Sequence, residues 1–198
     1  IYYYDSMGRS YFNLQEYVKA IEFYNKAIEL EPTEVIYYNS VGDSYFKLKE
    51  YIRAIEYYTK AIELESGNAI YYNRVGDSYF RLKEYTRAIE YYTKAIELEP
   101  QEAIYHDNKG DSYFRLKEYV RAIEHYTKAI ELEPQKAIYY DNIGDSYFYL
   151  EEYARAIEYY TKATELEPEK ANFYCSIGDS YFKLNEYAMS IQFFDKAI

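Results

Sequence analysis

Apolar residues recur along this chain at spacings of three and four, in two blocks joined by a short polar step, and the double block returns every 34 residues. With repeat position 1 at Ile1, Val35, Ala69, Ala103, Ala137 and Ala171, the apolar positions are 3, 4, 7, 8, 11, 12 and 14, then 17, 20, 21, 24, 27, 28 and 30. That spacing puts side chains on one face of an α-helix, so each repeat predicts two amphipathic helices. In the third repeat they are expected over about Ile70 to Leu82 and Tyr85 to Leu98, with Lys83 and Glu84 in the turn. A link that short predicts antiparallel packing.

The register aligns without insertion as a single repeat array over 1–198, with units at 1–34, 35–68, 69–102, 103–136 and 137–170 and a partial sixth at 171–198. A unit of this size cannot bury its own apolar face and must stack on neighbours. Small residues mark the expected close contacts: position 8 is Gly throughout, position 27 Ala throughout, and position 20 Ala except for Ser190. Pro32, Pro100, Pro134 and Pro168 stand where the second helix must stop, since proline cannot continue the hydrogen-bond ladder. The second repeat has Ser66 and Gly67 there instead, which predicts a left-handed glycine cap and the loosest joint.

The third repeat carries Tyr72, Val75, Gly76, Tyr79, Ala88, Tyr92 and Ala95 and ends at Pro100, and this pattern, in six in-register copies, resembles the tetratricopeptide repeat. The resemblance implies an all-α fold, a right-handed superhelical α-solenoid of antiparallel helix-turn-helix repeats. It also implies that the first helix of each pair lines a concave face and the second a mostly convex one. The function it implies is a non-catalytic protein–protein interaction scaffold that takes a peptide or helix of a partner in the groove of first helices.

Departures gather in the fourth repeat, where His106 replaces an aromatic, Lys109 an aliphatic residue and His125 a tyrosine. They read either as neutral substitutions or as a polar notch. A subclass of the family that clamps a C-terminal carboxylate needs two lysines that this chain lacks. Its first register here gives Asp5, Arg9, Ser40, Ile70 and Arg74, of which Arg74 alone fits.

If first helices form the groove, positions 2, 5, 6, 9 and 13 face the partner. The candidate binding residues are Asn39, Asp43, Asn73, Arg74, Asp77, Asp107, Asn108, Asp111, Asp141, Asn142, Asp145 and Tyr149. Asp at position 9 and Lys or Arg at position 13 predict ion pairs one turn apart in four repeats. The asparagines predict a ladder able to donate to and accept from a peptide backbone, or an inert polar filling. In the fifth repeat Tyr149 takes the basic position while Asp141 and Asp145 lie one turn apart, and that repeat carries a net charge of −5.

The whole chain has 198 residues and a formal charge of −11, with 32 tyrosines among its apolar residues. Such acidity argues against nucleic acid, whose phosphates call for clustered Lys and Arg, and favours basic or neutral protein or peptide partners. No apolar run is long enough for a membrane span, so no membrane partner is expected. A single cysteine, Cys175, excludes an internal disulfide framework and points weakly to a reducing, cytoplasmic setting.

No phosphate loop, metal-ligand cluster or nucleophile motif occurs, so neither catalysis nor a cofactor is expected; the pairs Asp107/Asp111 and Asp141/Asp145 offer at best a weak cation site. Ile1 and Ile198 read as cuts through a longer protein. Two further functions are therefore weighed: head-to-tail self-association through uncapped end faces, and a substrate-recruiting arm of a larger enzyme.

Overall fold

The structure, a computed structural model, describes residues 1–198 and is all-helical. It divides into two compact units, Ile1–Pro100 and Gln101–Ile198. The first contains α1 (Tyr2–Asn13), α2 (Tyr17–Leu30), α3 (Val35–Lys47), α4 (Tyr51–Leu64), α5 (Ala69–Arg81) and α6 (Tyr85–Leu98). The second contains α7 (Ala103–Arg115), α8 (Tyr119–Leu132), α9 (Ala137–Tyr149), α10 (Tyr153–Leu166), α11 (Ala171–Lys183) and α12 (Tyr187–Lys196). Within each unit every helix packs against the one before and the one after it, giving antiparallel pairs of an α-solenoid. We call the first helix of each pair A and the second B.

The turn inside each pair is closed by a residue with φ near +63° that is never glycine: Gln15, Lys49, Lys83, Lys117, Glu151 and Asn185. In the third repeat the Lys83 amide donates to the Phe80 carbonyl and the Glu84 amide to that of Tyr79, both at 2.9 Å. This double bond pattern around a left-handed residue satisfies carbonyls that the helix end leaves unpaired. An L-residue there costs about 1–2 kcal/mol. The periodicity located the turn but carried no sign of this strain, because lysine is not a left-handed signal.

The joint after the second repeat corrects an expectation. No glycine has positive φ, so Gly67 does not supply a left-handed cap, and α4 ends at Leu64 with the same geometry as the other B helices. Asn68 then caps α5 with its side chain, which accepts from the Ile70 amide at 3.1 Å. This joint is tied at the N-terminus of the following helix.

Two apolar layers explain why the repeats stack. In one, Ala and Tyr from a B helix close on the aliphatic residue of the next A helix: Ala54 and Tyr58 with Val75, Ala122 and Tyr126 with Ile143, Ala156 and Tyr160 with Ile177. In the other, Ala103 and Ala129 pack on Tyr139, and Ala137 and Ala163 on Phe173. Every cluster needs a residue from the following repeat, so one helix pair alone leaves its core open. Burying a large apolar side chain contributes about 1.5–3 kcal/mol, and these contributions accrue only on stacking.

Glycine at position 8 has a steric cause. A Cβ built on Gly76 would lie 2.6 Å from the Tyr92 ring, and one on Gly110 would lie 2.6 Å from Tyr126. The tyrosine ring lies against the bare backbone of its partner helix, which sets how closely the two helices approach.

The fourth repeat's departures do meet. The His125 ring stacks on Tyr113 with centroids 5.4 Å apart and lies 6.0 Å from His106, which is buried. Burial first, then the charges of Lys109 and His106, push the His125 imidazole down to about 4.

Candidate functional site

The face of the A helices gathers the polar positions of the sequence, and its geometry begins at position 9. Tyr58, Tyr92, Tyr126 and Tyr160, each buried on a B helix, donate their hydroxyls to Asp43, Asp77, Asp111 and Asp145 at 2.7–2.8 Å. The tyrosine therefore does two things: its ring fills the space left by glycine, and its hydroxyl holds a carboxylate on the A face. The pairing runs through the four middle repeats. The first has Arg9 opposite Tyr24, and the sixth has Asp179 opposite Phe194, which has no hydroxyl to give.

The expected pairing of these carboxylates one turn along their own helix gives way to the tyrosine bond. Ion pairs on this face include one along α1, Arg9 to Asp5 at 3.6 Å, and one between neighbouring A helices, where Arg74 Nε stands 3.5 Å from Asp43 Oδ1. The basic residues one turn along act behind the tyrosine: Arg81 helps hold Asp77 down, and Arg115 does the same for Asp111.

Asparagines spend donors on carboxylates of this face. Asn39 donates to Asp43 at 3.4 Å, Asn73 to Asp77 at 3.3 Å, and Asn142 reaches across from α9 to Asp107 on α7 at 3.0 Å. Asn108 is half-buried, and its backbone carbonyl accepts from the Ser112 hydroxyl at 3.0 Å. The Asn39 side-chain oxygen is buried without a hydrogen bond. Rather than a freely displayed ladder, the asparagines form a half-buried network with the aspartates.

Electrostatics distinguish the second unit. Asp107 is pushed up to about 7 by burial and then by the Asp111 charge, with Asn142 opposing. Asp141 is pushed up to about 7 by burial and then by Asp145, with Lys170 opposing. Burial also raises Asp77, Asp111 and Asp145, each held down in part by its tyrosine. The two ends of the network differ: Asn142 serves Asp107, whereas one oxygen of Asp141 is buried without a hydrogen bond. Its counterpart residue on the next A helix is Ser176, whose hydroxyl bonds to the Asn172 carbonyl at 3.2 Å instead.

Within each unit, recesses open between neighbouring A helices. The one between α7 and α9, about 150 Å³, is lined by Asp111, Phe114, Arg115, Tyr126, Asn142 and Asp145. Of the sequence candidates, the structure thus brings Asp111, Asn142 and Asp145 together in one recess and joins Asp43 to Arg74. Tyr149 stands at the outer edge of the face, 59% exposed and stacked on Tyr119 with centroids 5.5 Å apart. Sequence reasoning missed the B-helix tyrosines as part of this face, because position 24 reads as core. The available signal was that the Asp and Tyr occur together only in the four middle repeats.

Tetratricopeptide repeat models match residues 6–34, 35–68 and 69–102, residues 100–169, and residues 142–198. The chain belongs to the tetratricopeptide repeat family. Its twelve helices form the A/B pairs of TPR units, and TPR arrays of this kind are scaffolds that are typically non-catalytic. Comparison with curated proteins returns no match. Among solved structures, MamA is 28% identical with a TM-score of 0.77, covering 85% of this chain and 92% of its own. YrrB, described as a TPR protein with an unusual peptide-binding site, is 23% identical with a TM-score of 0.72, covering 88% of this chain and 90% of its own. The C-terminal part of a TPR repeat-containing protein from Cytophaga hutchinsonii is 18% identical with a TM-score of 0.84, covering 96% of this chain and 76% of its own. These last two likenesses concern the fold. No helix of this TPR chain is long and apolar enough to cross a membrane.

Proposed function

We propose that the A-helix face of this TPR chain is a non-catalytic binding surface for an extended segment of a partner protein, selected for basic side chains. The observation that carries this reading is the placement of two carboxylate pairs, Asp107 with Asp111 and Asp141 with Asp145, on the A helices of the second unit. Asp107 and Asp141, both raised to about 7, face Asp111 and Asp145 across one helical turn. A cation arriving there relieves repulsion that Asn142 at Asp107 and Lys170 at Asp141 offset only in part. Ile104 and Ile138, each over two-fifths exposed at position 2 of the A helices, add apolar contact at one edge of that face. A peptide-binding role is in keeping with YrrB, a TPR protein described as having a peptide-binding site.

The test is a titration of the full chain with three extended peptides of equal length, alternating Ala with Arg, Asn or Glu. The reading expects the Arg peptide to bind tightest, the Glu peptide weakest, and the difference to shrink as salt rises, since electrostatic complementarity is screened. Equal affinity for the Arg and Glu peptides at low salt overturns it.

A further inference from the structure

The recess between A helices recurs with its charged and polar positions changed, and those changes decide what it holds. Between α1 and α3 it is lined by Arg9 together with Asp43, and between α7 and α9 by Arg115 together with Asp111 and Asp145. Each of these contains its own cation. Between α9 and α11 the recess, about 190 Å³, is lined by Asp145, Phe148, Tyr149, Tyr160, Ser176 and Asp179. It has two carboxylates, an exposed aromatic ring and no basic side chain.

The chain itself shows what fits such a place. On α5, position 6 is Arg74, whose guanidinium reaches Asp43, the position 9 carboxylate of the preceding A helix. On α11, position 6 is Ser176, too short to reach Asp145 in the same way. The aromatic side of the recess also has an internal counterpart, because Arg155 lies 5.3 Å over the Tyr147 ring elsewhere in the same unit. Tyr149 has its ring braced by Tyr119 and by Phe114, centroids 5.5 Å from each, yet it stays 59% exposed.

We infer that the recess between α9 and α11 holds an arginine side chain of the partner, its guanidinium on the carboxylates of Asp145 and Asp179 and against the ring of Tyr149. A planar fork matches a carboxylate through paired N–H donors and stacks on an aromatic face, and an ammonium group does the second less well and the first not at all. Asp145 keeps one oxygen for the ligand, since Tyr160 bonds to the other. Asp179 is exposed and has no tyrosine hydroxyl opposite it, because position 24 of its repeat is Phe194. The recess therefore exchanges the intramolecular arginine of the earlier repeats for one supplied in trans. This assignment rests on the A face being the binding surface and adds to it the side chain recognised and its location.

The experiment uses acetyl-arginine amide, acetyl-lysine amide and acetyl-citrulline amide, titrated against the full isotope-labelled chain with backbone amide shifts as the readout. Citrulline has the shape of arginine without its charge. Saturable shifts at 145–149 and 176–179 are expected with the arginine probe, weaker ones with lysine, and none with citrulline. Ser176→Arg should fill the recess as Arg74 does, removing the probe response while leaving the thermal midpoint equal or higher. Tyr149→Lys should weaken the probe about tenfold, the scale of a partly desolvated cation–π contact plus a like charge. Equal shifts with arginine and citrulline, or undiminished binding to folded Ser176→Arg, overturn the assignment. Should Ser176→Arg fail to fold, Asp179→Asn at an exposed site gives the same decision, with unchanged probe affinity as the contrary result. If the alternating Arg–Ala peptide shifts A-helix amides while 145–149 and 176–179 stay silent, the recess assignment falls and the wider reading stands; if neither responds, both fall.

Discussion

The Tyr126 hydroxyl donates to Asp111 Oδ1 at 2.7 Å, across fifteen residues and from the B helix of a pair to the face of its A helix. Removing that donor leaves a carboxylate deprived of its strongest partner. Tyr126→Phe is expected to cost about 1–3 kcal/mol, the range for leaving a largely buried group unsatisfied. Chemical denaturation of variant and parent measures it. The ring contacts are kept, so a loss confined to a few tenths of a kcal/mol would show that packing alone explains the tyrosine.

Two glycines should respond in opposite directions. Gly76→Ala places a methyl 2.6 Å from the Tyr92 ring and should destabilise by about 1–3 kcal/mol as the helices are forced apart. Gly67→Ala meets nothing within 4 Å and has no positive φ to lose, so it should be neutral or stabilising by up to about 1 kcal/mol. Thermal melts of the two variants separate the cases.

The left-handed turn residues store strain that glycine would release. Lys83→Gly, at φ 64°, should raise stability by about 1 kcal/mol, and Lys49→Gly, at φ 63°, by a similar amount. A rise in thermal midpoint for each single variant and a larger one for the double is the expected result. A fall would mean that the lysine side chains make contacts worth more than the backbone strain.

The half-buried aspartates give a pH dependence of definite sign. Asp141 titrates near 3.8 when unfolded and about 7 when folded, so the stability it contributes is full below about 4 and lost as pH rises through 7. Asp141→Asn keeps the shape without the charge. It should leave stability nearly unchanged at or below about pH 4 and raise it progressively toward pH 8, by about 1–3 kcal/mol there. His125 works the other way, being lowered from 6.5 to about 4: its contribution is present above 6.5 and lost as pH falls through 4. Taking the difference between variant and parent at each pH cancels that opposing trend.

Much of this fold was legible because the repeat fixes it many times over. The spacing of Tyr72, Val75, Gly76 and Tyr79 placed the A helix within a residue of its observed bounds, and Pro100 marked the end of the B helix. What escaped was side-chain direction. Asp77 and Arg81 stand one turn apart in sequence and look like an ion pair, but the Tyr92 hydroxyl from another helix takes the carboxylate first. The Asn142 amide likewise goes to Asp107 on the preceding A helix instead of standing free. Pairings between helices depend on packing distances that periodicity does not carry. Gly67 misled for a local reason, since glycine permits a left-handed turn without requiring one.

The most direct measurement places a photoreactive benzoylphenylalanine at Arg115, an exposed position on the A face, and separately at Glu124, an exposed position on helix α8. Each labelled full chain is irradiated with the alternating Arg–Ala peptide at low salt. The account predicts peptide adducts from position 115, suppressed by salt, and none above background from position 124. Adducts of equal yield from both positions, or from 124 alone, would contradict it.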